Sequence, residues 1–96
     1  MTIYENIIMK YLDNNNIRYS DIWSEATAEG IRVTVYIRWG DWKHDHACLR
    51  NEIFRVFKPN DYEETVTDED GSDCYSAEHT FIFTGSSLLM ASADLR

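Results

Sequence analysis

The sequence predicts an α+β fold of αββαββ order: a four-stranded antiparallel sheet with two helices packed on one face. Three observations carry this. Two stretches place apolar residues at helical spacing, and each is followed by segments of strand-like alternation. A shift of 46 positions then lays Ile7 on Ile53, Tyr11 on Phe57, Thr34 on Thr80, Val35 on Phe81 and Ile37 on Phe83. Side-chain identity between the halves is almost nil, so the repeat is one of pattern. Covering one sheet face with both helices is the simplest closed arrangement. The other face is left to solvent or to an interface.

The first helix is expected from about residue 3 to 13. Thr2 and Glu5 have the spacing of a capping box, and Tyr4, Ile7, Ile8, Tyr11 and Leu12 form one apolar stripe. Asp13-Asn14-Asn15-Asn16 ends it, because these side chains compete for backbone hydrogen bonds. Ile17 to Ser24 reads as a strand with a bend where Ile22 and Trp23 fall out of phase. Ile31, Val33, Val35, Ile37 and Trp39 alternate with Arg32, Thr34, Tyr36 and Arg38, a strand with one buried face. Arg32, Tyr36 and Arg38 should lie on the open face, with Glu63, Thr65, Glu78 and Thr80 from the later strands. Between Asp41 and Lys58 the period is again helical, with His46, Leu49, Ile53, Val56 and Phe57 along one side. Pro59 stops the run at Lys58. Tyr62 to Thr67 is a third strand and Asp68 to Asp73 a turn. Tyr75, Ala77, His79, Phe81 and Phe83 form the buried face of a fourth strand. Leu88 to Leu95 is a short last helix or a loose tail.

At 96 residues the chain is one domain, 1–96, whose core is modest enough that a homodimer would help it. A hydrophobic fraction of 44% and an aromatic fraction of 14% separate it from disordered chains. No apolar run approaches the ~20 residues of a membrane span. The first residues lack the pattern of an export signal, and two cysteines are too few for a disulfide framework. Together these predict a cytoplasmic protein.

Charge is distributed unevenly. Residues 1–58 hold eight acids and eight bases; residues 59–96 hold nine acids and one base, Arg96. The whole net charge of −8 therefore lies in the last two fifths of the chain. No basic stripe exists for direct contact with nucleic acid. A basic-surfaced protein is the electrostatic complement, and the acids expected to meet it are Asp61, Glu63, Glu64, Asp68, Glu69, Asp70 and Asp73, with Glu78 behind them.

Residues 39–50, WGDWKHDHACLR, concentrate the residues that usually do chemistry. Their spacing argues against it. His44 and His46 point ~200° apart on a helix, so they cannot share an ion there. No second zinc-type pair accompanies them. Asp41 or Asp45 is better read as the cap of the second helix, with His46 opening its apolar stripe and His44 exposed. Cys48 shares a helical face with His44 only, and no oxyanion-hole pattern follows. The acidic turn fails the EF-hand pattern: with Gly71 at position six, Val66 and Ala77 occupy positions one and twelve. Trp23, Trp42 and Tyr36 exceed what so small a core needs, and exposed aromatics are favoured interface anchors.

The expectation is a non-enzymatic binding protein with no cofactor and no metal. Size, charge and want of a catalytic motif resemble those of small phage anti-restriction, anti-CRISPR and toxin-immunity proteins, a likeness of composition. It implies an inhibitor whose carboxylates stand in for DNA phosphates on a nuclease or other nucleic-acid-binding partner. Two further classes fit less well. A small acidic dimeric secretion-type chaperone would work through apolar surface. A metal- or thiol-dependent enzyme would centre on His44, His46 and Cys48.

Overall fold

The computed structural model describes residues 2–84. Helix α1 (Ile3–Asn14) leads to β1 (Asp21–Ala26) and β2 (Ile31–Asp41). A π-helical turn, Trp42–His46, runs directly into α2 (Ala47–Phe57), followed by β3 (Asp61–Glu69) and β4 (Cys74–Phe83). The αββαββ order and the four-stranded antiparallel sheet are as the periodicity predicts. The expected last helix or tail lies outside the described residues.

Thr2 caps α1 by accepting from the Glu5 amide, but the box closes through a third residue. The Thr2 amide donates to Ser24 Oγ at 3.1 Å, and that hydroxyl donates to Glu5 at 2.9 Å. The cap thus also ties α1 to β1. The first strand starts later than its alternation implies. Asn16 adopts a left-handed backbone, φ 55°, and the Ile17 amide returns to the Leu12 carbonyl at 2.9 Å. Ile17 is buried in the core from a loop, and ladder pairing begins only at Asp21.

The strand order is β1-β2-β4-β3, all neighbours antiparallel. This order is palindromic with respect to the repeat: the second strand of each half lies at the centre, the first at the rim. Thr34 faces Thr80 across the middle, and their hydroxyls share a hydrogen bond of 2.9 Å. These are residues that the 46-position shift superimposes, so the halves relate by an approximate two-fold axis through this pair. Val33 of β2 then corresponds to His79 of β4.

One sheet face carries Val33, Val35, Ile37, Ala77, His79, Phe81 and Phe83, packed under Ile8 and Leu12 of α1 and Leu49, Ile53 and Phe57 of α2. The register puts three rows on the other face: Glu25–Arg32–Ile82–Asp61, Trp23–Thr34–Thr80–Glu63, and Asp21–Tyr36–Glu78–Thr65. Trp39 departs from the predicted buried face. The β2–β4 register slips between Ile37 and Gly40, and Trp39 takes φ 54° and is 36% exposed. A bulge shifts the phase of alternation, which no count of alternating residues registers.

Candidate functional site

The bulge and the π-helical turn meet at His46. Asp41 caps the turn, accepting from the Lys43 and His44 amides at 2.8 and 3.0 Å. Asp45 reaches back to the Asp41 amide at 2.9 Å and pairs with Arg18 at 3.3 Å. These bonds hold the segment so that His44 faces solvent and His46 is fully buried. Gly40 makes the room. A Cβ there would lie 2.4 Å from Ile37 Cγ2 and 3.0 Å from His46 Nε2.

His46 does not meet His44. Its Nδ1 lies 2.7 Å from Nε2 of His79, which projects from the centre of β4 and is also fully buried. On its other side Nε2 meets the Tyr75 carbonyl at 3.0 Å, while the ring stacks on Tyr75 at a centroid distance of 4.0 Å. His79 Nδ1 lies 2.7 Å from Tyr62 Oη and 3.6 Å from Glu64 Oε2. Glu64 also accepts from Tyr75 Oη at 2.9 Å. Two histidines, two tyrosines and a carboxylate thus form one network that runs from beneath α2 to the rim strand β3. Arg50, one helical turn beyond His46, acts on its outer end.

The environment fixes the charge states. Burial, then His46 and then Arg50, push His79 down from 6.5 to about 3, so its ring is neutral at physiological pH. Burial and the Glu64 carboxylate push Tyr62 up to about 12, opposed by Arg50. Tyr75 is raised by burial and by its hydrogen bond to Glu64.

The eight predicted carboxylates do not form a single surface. Asp61, Glu63 and Glu78 occupy the open sheet face. Glu64 turns to the helix side and joins the histidine network, and Glu69 pairs opposite Tyr75 on that side. Asp68 sits beyond a second bulge, opposite Ser76, and Asp70 and Asp73 lie at the hairpin tip. Arg32 engages Glu63 and also Glu25. Asp61, Asp68, Glu69, Asp70, Asp73 and Glu78 have no arginine partner among the described residues. Asp70 is held below the usual carboxylate range by hydrogen bonds from Ser72, so it stays ionised. Trp42 packs near the same end, its amide donating to the Asp73 carbonyl at 3.1 Å. The Ser72 amide donates to Asp70, while Ser72 Oγ accepts from the Cys74 amide and the Asp73 carbonyl from that of Trp42, so the tip is shaped rather than loose acidic chain.

His44 and Cys48 do share a face, as helical spacing predicts, along a shallow open groove with Asp41, Lys43 and Asn51. His46 points away from it, so the three residues do not converge. The sequence reading places His46 and His79 on buried faces of two elements but does not pair them. The signal was present: two buried imidazoles on facing elements need polar partners. Tyr62, Tyr75 and Arg50 carried no such mark. Comparison with protein-family models, curated proteins and solved structures finds no match. No helix among the described residues is long and apolar enough to cross a membrane.

Proposed function

We propose that the protein is a non-enzymatic binding module whose acidic β3–β4 arm engages a basic surface on another protein, as an inhibitor of a nuclease or other nucleic-acid-binding partner would. One observation carries this reading. From Asp68 to Asp73 four carboxylates share a shaped hairpin end, and none has an arginine partner among the described residues. Uncompensated like charges repel, and a cationic partner relieves that repulsion. Glu63 is shared with Arg32 and Glu64 with the histidine network, so the binding charge lies in Asp61, Asp68, Glu69, Asp70, Asp73 and Glu78. Cys48 and Cys74 are both free thiols, which supports a reducing, cytoplasmic setting.

The test is capture from a lysate of the source organism at two ionic strengths, with and without added duplex DNA. The partner should be retained at low salt and released at high salt, since exposed charges are screened over ~8–10 Å. DNA should compete for it. Asp68→Lys, Glu69→Lys and Asp70→Lys together should abolish capture while leaving the fold intact. Capture that survives both salt and charge reversal would falsify the reading and favour apolar recognition.

A further inference from the structure

The open face of the sheet already holds one guanidinium of its own. Arg32, half-buried on the central strand β2, pairs with Glu25 of one rim strand at 3.5 Å and with Glu63 of the other. Four residues along β2 the same face presents Tyr36 instead. Its cross-strand neighbours are again carboxylates, Asp21 on β1 and Glu78 on β4. Here no cation lies between them: neither acid has a lysine or arginine partner among the described residues. A strand spacing of ~4.7–4.9 Å sets the two acidic positions roughly 10 Å apart, with Tyr36 between them. Trp23, 40% exposed, is the diagonal neighbour of Tyr36 on β1, at the ~7–8 Å that aromatic rings span.

We propose that this row is the receptor for an arginine side chain on the partner's surface, with Tyr36 and Trp23 taking the plane of the guanidinium and Asp21 and Glu78 its N–H groups. This deepens the reading above, on which it rests only in taking the partner to be cationic. The chemistry favours arginine over lysine. A guanidinium is flat, weakly hydrated and forked, so it stacks on a ring and still donates sideways to carboxylates; an ammonium is a compact, strongly hydrated point charge. Aromatic side chains are also the usual anchors of an interface. The row is held in place before any partner arrives. The Thr34–Thr80 hydrogen bond ties the two central strands at 2.9 Å. One Asp21 oxygen accepts from the Ile22 amide at 2.8 Å, which leaves the other for a ligand. Arg38, exposed two residues beyond Tyr36, opposes a second cation. Asp21 and Glu78 together outweigh its single charge, and Arg32 is already neutralised by its two acids.

The test titrates the isotope-labelled whole chain with a tetra-arginine and with a tetra-lysine peptide at physiological ionic strength, followed by NMR of the amides and indole N–H groups. Tetra-arginine should move the Trp23 indole and the amides around Tyr36 and Glu78. It should bind this face at least about threefold more tightly than tetra-lysine, the worth of an exposed cation–π contact. Asp21→Asn with Glu78→Gln should weaken it about fivefold. Asp68→Asn with Asp70→Asn removes as much charge from the hairpin end and should leave affinity at the sheet face within about twofold. These four changes preserve shape, and the amide spectra show that the fold is kept. Tyr36→Leu should abolish the preference for arginine. Shifts confined to residues 68–73, equal affinity for the two peptides, or equal weakening by the two double variants each overturns the proposal. The acidic arm is judged separately, by capture with Asp68→Lys, Glu69→Lys and Asp70→Lys, which leaves Asp21, Tyr36 and Glu78 in place.

Discussion

The depressed His79 makes folding stability depend on pH in a window where most carboxylates are still ionised. The ring titrates near 6.5 when unfolded and near about 3 when folded. Above 6.5 both states hold it neutral, and its contribution to stability is fully present. As pH falls from 6.5 towards 3 the unfolded chain takes up a proton that the native core refuses, and stability is lost. At a pH of about 5, with 1.36 kcal/mol per unit, the loss is about 2 kcal/mol. That is a large share of the ~5–15 kcal/mol expected of a domain. With a urea slope of ~1–3 kcal/mol/M the midpoint should drop by about 0.7–2 M. Urea titrations across this range measure the drop, and the carbon resonances of the His79 ring report its protonation in the native state. A ring that titrates near its ordinary value while the protein stays folded would refute the reasoning, as would a midpoint unchanged between neutral and mildly acidic pH.

Other substitutions probe the framework. Gly40→Ala forces a methyl to within 2.4 Å of Ile37 and 3.0 Å of His46, and should lower stability by at least ~1–3 kcal/mol in urea titrations. Ile53→Ala empties a fully buried position under α2 and should cost ~2–5 kcal/mol, read as a fall in Tm. Thr2→Ala removes both a helix cap and a contact to Ser24, with an expected loss of about 1–2 kcal/mol by the same measurement.

Much of the fold was legible because each element announces itself locally. The alternation from Ile31 to Ile37 and the stripe from Leu49 to Phe57 both reflect one buried side, and the structure buries that side. The misreadings came where two local rules competed. Ile17 and Tyr19 alternate like a strand, but the left-handed Asn16 turns them into a packed loop. Trp39 continues an alternation that the bulge ends. The histidine pair was harder, because 33 residues separate its members in the chain and only the β2–β4 pairing brings the ends of the two halves together. Of the acidic cluster, the charge was plain in the sequence, but its division was not. Whether a carboxylate joins the network, an arginine or the open face depends on the phase of β3, which the bulge at Val66–Asp68 shifts for Asp68 and Glu69.

The position of β3 at the margin of the sheet has a consequence for how molecules of this protein treat one another. Its outer backbone groups are a template for strand addition, and two such margins could align into a continuous sheet. Asp61, Asp68 and Glu69 line that margin with one sign of charge, so two copies repel before their backbones can pair. Concentrated salt weakens this safeguard while leaving the hydrogen-bonded sheet in place, and fibrous assembly is the form its loss should take.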